Sequence, residues 1–168
     1  MKILETKDLI LKPYEEKYAL KAHENFFCQK ETAKYMLWKP TEKVEEARER
    51  LERWSNSWGI FYLIHDKSTD EPTGFIATQQ IEPEVYGHLG ICLGLEFKGK
   101  GYGSQVLKTL IDYLKSQNAK ELQYSHFKEN IASQKLAEKM GFKYIKADTC
   151  VRPWDNKEFE EYCYVLKI

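Results

Sequence analysis

No two of the four cysteines, Cys28, Cys92, Cys150 and Cys163, stand at CxxC or metal-ligand spacing. That argues against a zinc cluster and against a thioredoxin-like redox motif, and no metal is expected. Charge of either sign is not in surplus. The 26 basic residues balance 26 acidic ones, which removes the electrostatic case for nucleic acid or an anionic membrane as the main partner. Apolar runs long enough to span a bilayer are missing, and the opening "MKILETKDLILKPYEEKY" lacks the apolar core and small-residue cleavage site of a signal peptide. Repeats, linkers and low-complexity tracts are missing too. The 168 residues therefore read as one domain, 1–168, in a reducing cytoplasmic setting.

Aromatic residues, by contrast, are plentiful at 14%, with four Trp and eleven Tyr. The period of the apolar residues divides the chain. Leu9-Ile10-Leu11 before Pro13 reads as a short strand. Tyr18, Ala19, Ala22 and Phe26 predict a helix over 15–27, and a second short helix covers 31–36. Val44, Ala47, Leu51 and Trp54 form one helical stripe with Thr41 as its N-cap. The remaining positions of that helix, Arg48, Arg50 and Arg53 among a run of glutamates, read as a solvated face laced with i,i+4 pairs. "GIFYLIHD" and "GFIATQQI" predict a hairpin. "VYGHLGICLGLEF" reads as a long strand carrying Gly87, Gly90 and Gly94, and glycine inside a strand marks a bulge or a close approach. An amphipathic helix follows from Tyr102 to Leu114, then the strand "KELQYSHF". A helix over 130–140 stops at Gly141, and two closing strands complete the chain. This order predicts an α/β fold with a mixed sheet rather than the strict alternation of a doubly wound one.

The densest signal is "GLEFKGKGYGSQVL", residues 94–107. A glycine-rich break between strand and helix offers free backbone N–H groups, and the helix adds about half a positive charge at its N-terminus. Such a site holds an anion, most often phosphate. A P-loop would put Ser or Thr where Gly101 stands, to ligate magnesium. A dinucleotide fingerprint would place its third glycine one residue later and a carboxylate at the end of the next strand, which here reads Tyr124-Ser125-His126-Phe127.

What is left, Lys98-x-x-Gly101-x-Gly103, resembles the GNAT N-acetyltransferase superfamily, whose Gln/Arg-x-x-Gly-x-Gly/Ala loop cradles the pyrophosphate of acetyl-coenzyme A. "HLGICLGLEFKGKGYGSQVLKTLIDYL" is similar to that superfamily's strand–loop–helix segment, and "ENIASQKLAEKMGF" to its Asn-x-x-Ser…Lys-x-Gly-Phe segment. "TKDLILKPYEE" resembles the opening strand of the ribosomal-protein N-acetyltransferase-like branch. Lys98 replaces the family's Gln or Arg. The tyrosine that several branches use as general acid falls on Ala137, and the serine of the resembled branch falls on Ser133.

The resemblance implies a GNAT-like α/β fold, with a mixed, mostly antiparallel central sheet and helices on both faces, and transfer of an acetyl group from acetyl-CoA to a primary amine by direct attack on the thioester. The acceptor is a protein N-terminus or a small-molecule amine. It implies coenzyme contacts from Ile91, Cys92, Leu93, Lys98, Gly99, Lys100, Gly101, Tyr102, Gly103, Ser104, Asn130 and Ser133. His88 lies where family catalytic bases often fall, and an imidazole is suited to the task; Glu82 and Glu84 are second choices. Ser133 is expected to hydrogen-bond the departing thiolate or, as a plain alternative, to cap its helix. Tyr35, Trp38, Tyr86 and Trp154, with Trp54, are expected to line the acceptor side. Two further readings stay open: a non-catalytic acyl-CoA-binding or sensor module on the same fold, and a phosphotransferase with a degenerate P-loop. The expected assembly is a monomer or homodimer.

Overall fold

The computed structural model describes residues 2–168. Eight strands form one sheet in the order β1-β2-β3-β4-β5-β6-β8-β7. They are β1 (Leu4–Glu5), β2 (Leu9–Lys12), β3 (Ile60–Asp66), β4 (Pro72–Glu82), β5 (Val85–Leu93), β6 (Glu121–Phe127), β7 (Lys143–Val151) and β8 (Glu158–Lys167). Every pairing is antiparallel except β5 with β6. The fold is the mixed, mostly antiparallel α/β architecture that the sequence predicts, with the two-residue β1 added.

β3 is buried along its whole length, because helices cover both faces of the sheet. Tyr62 and Ile64 face one core, filled by Val106, Leu107, Leu110 and Leu114 of α4 (Tyr102–Ser116) and by Ala137 of α5 (Ile131–Lys139). Phe61 and Leu63 face the other, with Ala22 of α1 (Ala19–Ala22), Phe26, Phe27, and Ala47 and Leu51 of α3 (Val44–Ser57). The helix expected over 15–27 is instead a 3-10 turn (Glu16–Tyr18), α1, and a π turn (His23–Phe27). The wider π turn seats both Phe26 and Phe27 fully in the core. The short α2 spans Lys30–Ala33. Thr41 does not cap α3; the N-cap is Lys43. Thr41 is buried, with its Oγ1 2.7 Å from His23 Nδ1 and its N–H on the Phe27 carbonyl. The expected long strand ends at Leu93, and Leu95–Phe97 forms a 3-10 turn.

β5 and β6 pair only at Val85↔Glu121 and Tyr86↔Leu122. Beyond that point the strands splay, while β6 stays paired with β8 as far as Phe127↔Glu161. The sheet thus contains a wedge, and the β6-facing edge of β5 from Gly87 to Leu93 has no strand partner.

His65 lies wholly buried on β3, its Nδ1 3.0 Å from the Asp70 carbonyl oxygen and its Nε2 without a partner. Burial, the largest influence, holds this imidazole below its ordinary value. Below an ordinary imidazole pKa of about 6.5 the unfolded chain therefore binds a proton that the folded chain refuses. The stability from neutral His65 is complete above that pH and is lost as pH falls toward the folded value. We expect the melting temperature of the wild type to fall between about pH 7 and about pH 5.5, and the slope to flatten in His65→Gln. Equal slopes in the two proteins would exclude this source.

Candidate active site

The wedge opens onto two clefts. The first follows the glycine-rich loop. Gly99 and Gly101 both take the left-handed backbone at φ +76°, and Gly101 is the N-cap of α4. The first backbone bond into α4 runs from the Gln105 N–H to the Gly101 carbonyl at 3.2 Å. The N–H groups of Tyr102, Gly103 and Ser104 consequently have no intrahelical acceptor. A Cβ built at Gly101 meets nothing within 4 Å, so this backbone faces open space. Two side chains fix the start of α4. Tyr102 Oη donates to Asp66 Oδ2 at 2.9 Å, and Gln105 Nε2 donates to Asp8 Oδ2 at 2.7 Å. The cleft holds about 360 Å³ and is lined by Ile91, Leu93, Lys98, Tyr102, Gly103 and Ser104, with Lys135 and Lys139 from α5. Among the described residues no carboxylate lines it. Free N–H groups, a helix N-terminus, three lysines and no acid suit the pyrophosphate of coenzyme A.

One expected lining residue, Tyr86, needs correction, and Lys100 and Cys92 border the loop cleft in particular ways. Lys100 is exposed, and its ammonium lies over the Phe97 and Tyr102 rings, 5.5 and 5.9 Å from their centroids, beside the cleft that those two residues line. Cys92 turns its side chain into the core, where burial pushes the thiol up to about 12. Its strand edge alone borders the cleft. Tyr86 sits where β5 and β6 still pair and packs on the α4-side core, lining neither cleft.

The second cleft, about 580 Å³, lies between the wedge and the α2–α3 face. Tyr35, Trp38, Trp54 and Trp154 line it as expected, and so does His88. His88 is exposed and stands at a bulge, where the β4–β5 register slips between Ala77 and Gln79. It holds φ +51°, a left-handed backbone that costs a non-glycine residue about 1–2 kcal/mol. The buried Thr78 hydroxyl donates to the Gly87 carbonyl at 2.7 Å and secures the slipped segment. Trp154 reaches the cleft on the β7–β8 loop. That loop is tied down by Arg152, whose Nη1 donates to the Lys34 carbonyl at 2.8 Å and whose Nε donates to Asp155 Oδ1 at 2.9 Å.

Tyr124, Ser133, Asn130, Ile91 and Met36 border both clefts. Asn130 caps α5, its Oδ1 accepting the Ser133 N–H at 3.2 Å, so the Ser133 side chain is released from capping. The Ser133 hydroxyl instead lies 2.5 Å from Tyr124 Oη. Burial raises the Tyr124 hydroxyl to about 12, and it keeps its proton. Ala137, at the position of the family tyrosine, is fully buried and reaches neither cleft.

Among the lining residues that escaped the sequence reading, three bear on the chemistry. Tyr124 was legible only as a strand residue, since its partner Ser133 comes to it through the β6–α5 turn. His126 is buried in the second cleft. Its Nδ1 is 2.8 Å from the Phe127 carbonyl, and its Nε2 has no partner. Arg50 is the third. Its guanidinium carbon lies 5.1, 5.2 and 5.6 Å from the ring centroids of Phe27, Trp38 and Trp54. Nη2 donates to the Lys39 carbonyl at 2.8 Å, Nη1 is buried with no partner, and burial pulls the group down to about 10. Arg50 therefore leaves the solvated face on which its spacing put it.

The Acetyltransferase (GNAT) domain family matches residues 8–143. An uncharacterized N-acetyltransferase, YobR, of Bacillus subtilis strain 168 is 31% identical over 86 residues, which are 51% of this chain and 33% of that protein. The match thus spans about a third of the relative's length. Among solved structures, an acetyltransferase of the GNAT family from Bacillus anthracis superposes with a TM-score of 0.86 at 19% identity, over 99% of this chain and 98% of its own. RimL, a ribosomal L7/L12 alpha-N-protein acetyltransferase in complex with coenzyme A, superposes at 0.85 and 20% identity, over 99% and 98%. Among the described residues no helix is long and apolar enough to cross a membrane.

Proposed function

This chain belongs to the GNAT acetyltransferase domain family, and from that premise we propose that residues 1–168 act as one domain that moves the acetyl group of acetyl-CoA to a primary amine. The observation that carries the reading is the meeting of two clefts at one hydroxyl pair, Tyr124–Ser133. One cleft suits an anionic coenzyme; the other is large enough for a separate acceptor. Acetyl-CoA, when bound, supplies the thioester carbon to which the amine nitrogen bonds as the C–S bond breaks.

The unpartnered edge of β5 at Ile91–Leu93 offers backbone groups to the extended arm of the coenzyme, and the N–H groups before α4 hold its pyrophosphate. Most primary amines are protonated near neutral pH, so a base must take a proton before attack. His88, exposed in the acceptor cleft at the bulge, is that base. A second reading is favoured by the orphaned Nε2 of His126: with Nδ1–H held by the Phe127 carbonyl, Nε2 keeps a free lone pair. At the other end of the reaction we assign Tyr124, which keeps its proton, as the donor in its hydrogen bond with Ser133 Oγ. This turns the serine hydrogen outward, toward the sulfur that leaves. The compartment we propose is the cytosol, supported by four unpaired cysteines.

Release of free thiol from acetyl-CoA in the presence of an amine panel tests the reading. We expect turnover with at least one amine and a loss of about 100-fold in kcat/KM for His88→Ala, together with loss of the acidic limb of the pH profile. If that limb survives in His88→Ala and vanishes in His126→Asn, the base is His126. Tyr124→Phe is expected to lower kcat about tenfold. Coenzyme A binding without turnover on every amine would identify a non-catalytic module. Stabilisation by Mg-ATP but not by coenzyme A would refute the coenzyme site.

A further inference from the structure

Arg50 sits where a charge should not be left alone. Three aromatic rings surround its guanidinium, and its one hydrogen-bond acceptor is the Lys39 carbonyl. Among the described residues its buried Nη1 donates to nothing, although the side chain as a whole lines the open cleft. Among the described residues no carboxylate lies within salt-bridge distance of Arg50, although the helix that carries it is rich in glutamate. The Glu46 carboxylate attracts it only from beyond that distance, and a guanidinium drawn partly out of water without a contacting anion carries a cost that a charge-assisted bond to a carboxylate offsets. Aromatic faces hold the planar group in one orientation and add cation–π attraction, which pre-organises the fork for a planar anion.

The rest of the cleft agrees. Arg53 lines the same cleft as Arg50, and so does Lys39, whose ammonium already stands 3.6 Å from Glu42 Oε1. Glu161 of β8 is the one carboxylate among the lining residues, and it already accepts the Ser125 hydroxyl at 2.8 Å. This distribution is wrong for a polyvalent cation such as a polyamine. It suits an acceptor with an anionic end beside α3 and an amine end beside the wedge.

We infer that the acceptor carries a carboxylate close to its amine, and that Arg50 is the residue that reads it. The inference rests on the acetyltransferase reading given above and narrows its acceptor class. The carboxylate has two possible sources: the α-carboxylate of a free amino acid, or an acidic side chain near the N-terminus of a peptide.

The test compares matched acceptors with acetyl-CoA as donor. One arm sets amino acids against their amides. The other sets peptides with Asp or Glu after the first residue against the same peptides with Asn or Gln. A charge-assisted bond to a buried partner is worth about 1.5–3 kcal/mol, so the carboxylate form is expected to win by roughly 10–100-fold in kcat/KM, mostly through KM. The arm that shows the preference identifies the source. In Arg50→Met the ratio is expected to collapse toward one, and in Arg50→Lys to survive in part. Equal rates for both members of every pair in the wild type would overturn the inference while leaving acetyl transfer intact, as would an undiminished ratio in a folded Arg50→Met. Should Arg50→Met fail to fold, the wild-type ratio and the partial ratio of Arg50→Lys decide. No thiol release with any amine strikes at the acetyltransferase reading itself, and the inference falls with it.

Discussion

Gly101→Val is expected to weaken coenzyme A binding by at least about 100-fold while the domain remains folded. Three effects coincide at this residue. Its φ of +76° lies in the left-handed region, where a side chain costs about 1–2 kcal/mol and a β-branched one more. Relief of that strain pulls the N-cap out of place and rotates the N–H groups of Tyr102, Gly103 and Ser104 away from a common focus. The new side chain also enters the space that the loop keeps open, since no protein atom lies within 4 Å of a Cβ there. That open space is why folding survives: the valine meets ligand rather than core. Together these effects reach about 3 kcal/mol, or two powers of ten in affinity. Calorimetric titration with coenzyme A, beside a thermal melt, is the measurement. An affinity within about threefold of wild type would show that the loop does not hold the phosphates.

Gly94→Ala is expected to act in the opposite manner, on stability first. A Cβ at Gly94 would stand 2.0 Å from the Asn25 carbonyl oxygen and 3.1 Å from its carbonyl carbon. Both contacts are to backbone, so no rotamer change relieves them. The π turn that carries Asn25 would have to lift away from the end of β5. It is held there by the Asn25 amide, which donates to the Pro72 carbonyl at 2.8 Å. Overpacking of this kind costs about 3 kcal/mol. For a chain of 168 residues that corresponds to a fall of about 6–12 °C in melting temperature. A melt within about 2 °C of wild type would mean the turn yields freely.

These two glycines show what the sequence makes legible and what it hides. Gly101 announces itself: it falls at a fixed offset from Lys98 and Gly103, between a strand pattern and a helix pattern, and its chemistry is local. Gly94 reads only as an interruption of a strand. The reason for it lies 69 positions away at Asn25, in a π turn that no apolar period reveals. The same contrast runs through the site. Ser133 and Asn130 share one short motif, and their division of labour, one capping and one free, follows from helix geometry. Tyr124 needs the β6–α5 turn to bring it to Ser133. The charged residues around Arg50 recur at helical spacing, and that pattern alone predicts a solvated side chain. A period describes one helix and is silent about Phe27 and Trp38, which arrive from other segments to enclose the guanidinium. Tyr86 erred in the other direction: as an aromatic beside His88 it looked available, but it lies at the end of the wedge where the strands still pair.

The wedge has a thermodynamic consequence. Two paired residues join β5 to β6, so the two halves of the sheet are fastened at one end and stand apart along the rest of their length. On the proposed reading, the extended arm of the coenzyme lies in that gap and supplies rungs that no strand of the chain provides. The folded state then gains stability by mass action: about 2.7 kcal/mol when free coenzyme stands at a hundred times its dissociation constant, a gain that shrinks as the pool empties. The protein's resistance to unfolding, and with it its lifetime, becomes a gauge of how well the acetyl donor is supplied.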